Sequence, residues 1–162
     1  IGIFMATENI KFKLQLYSEY WSRPPIVEIF VNDQPKYMKE ITETKDKPAV
    51  IEFTTPLEEG PASLKIKRTG KDIRQTVVEN GEVVKDQLVC IKGIEIDEID
   101  IASLVFEGTY TPDYPEPWAT QQRAKGTTLP VSFKEATRLG HNGTWEFKFS
   151  SPFYLWLLEN LY

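Results

Sequence analysis

The side chains able to do chemistry in this chain are carboxylates and aromatic rings. Acidic residues number 24, against one cysteine and one histidine. Glu79 and Glu82 flank an Asn80-Gly81 pair, Asp86 follows, and Glu95, Asp97 and Asp100 lie a short way on. Oxygen donors at that density suit a hard cation, because calcium takes about six to eight oxygens from carboxylates and loop carbonyls. Glu79 and Glu82 should also oppose each other across a hairpin, where like charges repel unless a cation or water screens them. Asp86, Glu79 and Glu82 are therefore the candidate metal ligands; a solvated strand face and a wet hairpin tip are the simpler reading.

Two groups of aromatics make a second candidate set. Tyr17, Tyr20 and Trp21 cluster ahead of Pro24-Pro25, and Tyr110, Tyr114 and Trp118 sit in a proline-rich stretch. Sugar rings stack on Tyr and Trp because these side chains present large, stiff apolar faces with a polar edge. The competing use is packing over the ends of a sheet.

Other chemistry finds no support. Cys90 lies among apolar neighbours and reads as a buried, inert thiol. A lone cysteine excludes an intrachain disulfide framework and a multi-cysteine metal site. A pairing with His141 would need a lowered thiol pKa, and burial raises it. There is no glycine-rich phosphate loop, no G-x-S-x-G and no histidine metal motif. Paired carboxylates of the glycosidase kind are available in number, but the sequence does not place two of them about 5–10 Å apart across a cleft. The chain is read as non-catalytic.

A net charge of −5 opposes nucleic-acid binding. The basic group Lys65, Lys67, Arg68 and Lys71 is expected to form a solvated strand edge. No run of about 18 apolar residues is present to span a membrane. Residues 1–4 read as upstream translated sequence, not a signal peptide, and 5–162 as one domain synthesised in the cytoplasm.

The elements that must position these residues are strands. Lys11 to Leu16 alternates strictly, with Phe12, Leu14 and Leu16 on one face. Ile26 to Val31, Ala49 to Thr54, Leu64 to Lys67 and Trp145 to Phe149 repeat the pattern. Asn32-Asp33-Gln34-Pro35 reads as a turn. Asn80-Gly81 predicts a two-residue hairpin turn pairing Val77 with Val84 and Val78 with Val83. Leu88 to Ile91 is apolar on both faces, as in mid-sheet. The parity changes after Glu98, which predicts a bulge or tight corner at Asp97-Glu98. Gly108 to Pro130 reads as a long proline-punctuated loop. The expected fold is an all-β, antiparallel, jelly-roll-like sandwich.

Gly60-Pro61-Ala62-Ser63-Leu64-Lys65-Ile66-Lys67, then Lys85 to Asp97 (KDQLVCIKGIEID), and before both Ile26 to Gln34 (IVEIFVNDQ), together resemble the calcium-dependent xylan-binding type of jelly-roll carbohydrate-binding module. The likeness covers roughly Lys11 to Asp100. It implies a carbohydrate partner and makes Asp86 a calcium ligand that helps a glycan present two hydroxyls to the metal. Where such modules carry a short Asn/Asp/Gly-rich metal loop, this chain has a valine-rich hairpin.

The C-terminal segment after Ser151-Pro152 is apolar nearly all round, and a short helix and a buried terminal strand both fit it. If its own sheet cannot cover it, a second subunit will, with Phe153, Trp156, Leu157 and Tyr162 as the interface. The leading reading is a carbohydrate-binding module, with a place in a phage-like structural assembly left open. The alternative is a purely structural homo-oligomer of virion type (capsid, decoration or tail), and a weaker one is a glycan-active enzyme using two carboxylates.

Overall fold

Period-two alternation becomes the two faces of a strand throughout. Phe12, Leu14 and Leu16 are fully buried in β1 (Thr7–Glu19), while Lys11, Lys13 and Gln15 turn to the other face. Val27, Ile29 and Val31 do the same in β2 (Ile26–Val31), and Leu64 and Ile66 in β5 (Gly60–Thr69). Trp145, Phe147 and Phe149 are the buried face of β13 (Gly143–Ser151). The structure, a computed structural model, describes residues 7–161. The reading of residues 1–4 and the interface position Tyr162 lie outside the described residues.

One antiparallel sheet runs β12 (Arg138–Leu139), β8 (Leu88–Ile96), β1, β4 (Ala49–Glu58), with β9 (Ile99–Asp100) folded back on β8. The other runs β11 (Phe133–Lys134), β10 (Thr109–Pro112), β13, β5, β2, β3 (Gln34–Glu40). Inward side chains from both sheets form one apolar cluster, and Phe12 of the first meets Phe149 of the second at 6.3 Å between ring centroids. The fold is the antiparallel β-sandwich expected. Among the described residues no helix is long and apolar enough to cross a membrane.

Several local expectations needed correction. The hairpin β6 (Val77–Glu79) and β7 (Glu82–Lys85) turns at Asn80 (φ 53°) and Gly81 (φ 78°), and Val78 faces Val83 as expected. A register shift then sets Val77 opposite Lys85, not Val84. The parity change at Asp97-Glu98 is the tight corner: both residues have positive φ, and Ile96 pairs with Ile99 across them. The turn after β2 is only Asn32 and Asp33, because Gln34 already begins β3. That strand lies at a sheet edge, largely exposed, so it carries no apolar alternation to reveal it.

The segment Gly108 to Pro130 is not one loop. It contains β10, paired with β13, and the helix α1 (Trp118–Ala124), whose Ala, Gln and Arg residues favour helix. The C-terminal segment is the helix α2 (Phe153–Leu161). Its Phe153 and Leu157, four residues apart on one helix face, are buried in the chain's own core, and Trp156 packs on Phe153 and edge-on to Phe147. Phe153 and Leu157 are thus core residues, not an outward interface. The exposed apolar face of α2 is Tyr154, Leu155 and Leu158.

Candidate functional site

Sheet pairing brings three loops together at one end of the sandwich. Gly143 opens β13 opposite Arg68 of β5 on one side and Pro112 of β10 on the other. The loops that continue from these strands carry Lys71 to Thr76, Asp113 to Trp118, and Gly140 to Asn142. They enclose a cleft of about 110 Å³ lined by Lys71, Thr76, Asp113, Trp118, His141 and Asn142, with Asp72, Ile73 and Pro115 completing it. Gly143 must be glycine here: a Cβ would lie 2.4 Å from the Thr111 carbonyl oxygen.

Beneath the cleft lies a buried guanidinium. Arg68 shares the inward parity of Leu64 and Ile66 and is fully buried. It donates to Asn142 Oδ1 (2.9 Å) and to the Gln87 carbonyl (2.7 Å), and its Nε has no partner among the described residues. Burial pulls its pKa down to about 10, against Tyr110 and Asp86, so it stays cationic at neutral pH. Asn142 in turn clasps the Lys71 backbone, accepting from its N–H (3.1 Å) and donating to its carbonyl (2.9 Å).

The Lys71 ammonium, pinned in this way, donates to Asp86 Oδ1 (2.7 Å) and to the Gly140 carbonyl. The same Asp86 oxygen accepts from Thr76 Oγ1 and the Gln87 N–H, each at 2.8 Å. Burial raises the Asp86 carboxyl, but the hydrogen bonds from Lys71, Thr76 and Gln87 outweigh it and hold the group below the usual carboxylate value. On Lys71, burial is the largest influence and lowers the pKa, Asp86 raises it, and the nearby Arg68 lowers it again, leaving the ammonium below its ordinary value. The basic group read as a solvated strand edge is therefore split: Lys65 and Lys67 face outward, while Arg68 and Lys71 are drawn in.

The wall is aromatic. Tyr110 receives the His141 N–H on its hydroxyl (2.9 Å) and donates that hydroxyl to the His141 carbonyl, which fixes the loop. The imidazole meets Tyr114 edge-on at 5.0 Å and Trp118 at 5.7 Å between ring centroids. Burial lowers the His141 pKa, and Lys71 adds to this, so the ring is neutral at pH 7. Tyr114 donates its hydroxyl to the Pro130 carbonyl.

The other predicted residues fall elsewhere. Tyr20 and Trp21 line a shallow depression with Val83, Val84, Lys85 and Arg138, about 420 Å³ in volume, which Asp86 also borders. Trp21 donates its indole N–H to the Gln75 carbonyl (2.9 Å), and the Lys85 ammonium sits 4.6 Å over its ring. Tyr17 and Tyr110 are buried and offer no face to a ligand: Tyr17 packs opposite Cys90 in the sheet, and Tyr110 is 3% exposed. The burial that encloses Cys90 also pushes its thiol pKa up.

Glu79 and Glu82 do oppose each other, at an exposed hairpin tip, without Asp86 joining them. Among the described residues no three His, Cys, Asp or Glu side chains converge. Asp86 does not fit a calcium ion, since an ammonium already holds its inner oxygen and a dication there would face Lys71 and Arg68. The residues that sequence reading missed are Lys71, Thr76, Asp113 and Asn142 in the cleft and Arg68 below it. Only Arg68 carried a signal, a charge at an inward strand position.

No family model matches the sequence, and no curated protein matches it. Two solved structures are similar in fold. One is a selenomethionine form of vCBM60, from work linking two families of calcium-dependent carbohydrate-binding modules by circular permutation. It is 10% identical, with a TM-score of 0.51, covering 85% of this chain and 89% of that one. The other is vCBM60 in complex with galactobiose, 11% identical, with a TM-score of 0.47, covering 85% and 96%. The fold is thus shared with a carbohydrate-binding module, as the resemblance over Lys11 to Asp100 implied. At this identity the likeness extends to the fold alone.

Proposed function

We propose that this chain is a non-catalytic carbohydrate-binding module and that its glycan lies in the cleft beside Trp118. The observation that carries the reading is the meeting of the Trp118 and His141 rings, which Tyr114 backs, with hydrogen-bonding groups of Lys71, Thr76, Asp113 and Asn142 in one cleft. A stiff apolar wall beside a polar floor is what a sugar ring needs, because one face of the ring is C–H and its edge is hydroxyl. Ligand pockets for whole drug-sized molecules run to about 300–1,000 Å³. A cleft of about 110 Å³ is smaller and admits part of a glycan, one ring entering by its edge.

A glycosidase would need a carboxyl whose pKa is raised so that it can act as the acid. Asp72 is held below its usual value by Arg74, and Asp86 below its own by its hydrogen bonds. Both are committed to cations. The fold shared with a calcium-dependent module makes calcium a reasonable cofactor to test, but the arrangement around Asp86 speaks for binding without it. The decisive experiment is a glycan array probed with the wild type and with Trp118→Ala. Retained signals that vanish in the variant support the reading. No signal from the wild type, or equal signals from both, refutes it.

A second reading, assembly into an oligomer, is favoured by the exposed Tyr154, Leu155 and Leu158 on α2. Under it, Leu155→Ser with Leu158→Ser converts an oligomer to a monomer in sedimentation velocity. A wild type that already sediments as a monomer removes it.

A further inference from the structure

The cleft holds a cation that belongs to the chain itself. The Lys71 side chain is only 11% exposed, and its ammonium is held by two oxygens of the chain. A carboxylate oxygen and a backbone carbonyl take two of its three protons. The Asp86 carboxylate, which the resemblance to calcium-dependent modules gives to the metal, is instead engaged by Lys71, Thr76 and the Gln87 amide. The position is fixed from behind, since Asn142 binds the Lys71 backbone through both its N–H and its carbonyl while holding the buried Arg68. Lys71 also lines the cleft next to Trp118.

We infer that Lys71 is the resident cation of this cleft: its ammonium stands in the role that calcium has in the modules this chain resembles, and its third N–H donates to a glycan oxygen, so that binding needs no divalent metal. This rests on the reading of the cleft as a carbohydrate site. The stereochemical demand differs accordingly. A metal ion with two open positions can hold two hydroxyls of one sugar, whereas one N–H selects a single acceptor oxygen.

Two sets of measurements test this. The first needs no sugar: thermal melting of the wild type in calcium chloride and in EDTA. Identical curves are expected. A melting temperature that rises with calcium and falls back in EDTA overturns the inference, whatever the chain binds. The second uses the glycan array with EDTA present, for the wild type, Lys71→Met and the double variant Lys71→Met with Asp86→Asn.

The single change strips Asp86 of its counter-ion and could unfold the loop; the double change removes both charges and guards against that. Wild-type binding should persist in EDTA, and the folded double variant should bind about 10- to 100-fold more weakly, the size of one charge-assisted hydrogen bond. A double variant that binds like the wild type, while Trp118→Ala does not, overturns the role of Lys71 and leaves the carbohydrate reading standing. Binding lost in EDTA has the same effect. A wild type that binds no glycan in either condition overturns both.

Discussion

Trp21 and Trp118 are the same residue type on neighbouring surfaces, and Asp86 connects the two. It borders the depression around Trp21, while its carboxylate anchors the lysine of the Trp118 cleft. Trp21 is the more exposed, at 46%. Yet its N–H is given to the Gln75 carbonyl, and Lys85 lies over its ring. Trp118 is half-buried, leaning on His141 and Tyr114 at the edge of a cleft that presents hydrogen-bonding groups. Exposure alone does not make a binding platform. A ring serves a ligand when its own polar edge and face have not been used by the protein and when complementary groups stand beside it.

The strongest way to break the comparison is to dislocate one side of it. In Gly143→Ala the new methyl would lie 2.4 Å from the Thr111 carbonyl oxygen and 2.8 Å from Pro112 Cα, forcing β10 away from β13. Overpacking of this kind costs about 1–3 kcal/mol or more. Urea unfolding should show that loss, and glycan binding at Trp118 should fall with it; unchanged stability would mean the strand pair can slide.

A change of pH sharpens the comparison next. The Asp86 carboxyl is lower in the folded chain than its ordinary value, so its contribution to stability is present above that value and is lost as the pH drops through the folded one. Acid unfolding monitored below about pH 4 should therefore be shallower in the double variant of Lys71 and Asp86 than in the wild type. Parallel curves would show that the pair contributes nothing. The smallest effect belongs to the other tryptophan. Trp21→Ala loses the Lys85 cation–π contact and the Gln75 hydrogen bond, should cost about 1–2 kcal/mol of stability, and should leave glycan affinity unchanged. A large loss of affinity would reverse the comparison.

The sandwich was legible because each strand states its own register: Phe12, Leu14 and Leu16 face inward whatever the rest of the chain does. Asn80-Gly81 was equally explicit, since few residue pairs accept two consecutive positive φ values. The cleft was legible only in part. Trp118 and Tyr114 were visible as aromatics among prolines, but Lys71, Asn142 and Trp118 meet only because β5, β13 and β10 pair side by side. Nothing local in sequence encodes that meeting. Arg68 has the charge of a solvent-facing residue but the parity of Leu64 and Ile66, and in the fold the parity prevails. In α2 the apolar run identified the segment but not its face. Which residues turn inward depended on where Phe147 and Phe149 stand to receive them.

The chain has four tryptophans, and their indole N–H signals in an NMR spectrum report separately on the two surfaces and on the core. Titrating the wild type, in EDTA, with an oligosaccharide selected on the array is the most direct test of the account. The Trp118 signal should shift progressively and saturably while that of Trp21 stays in place. A shift at Trp21 with Trp118 unmoved would contradict it.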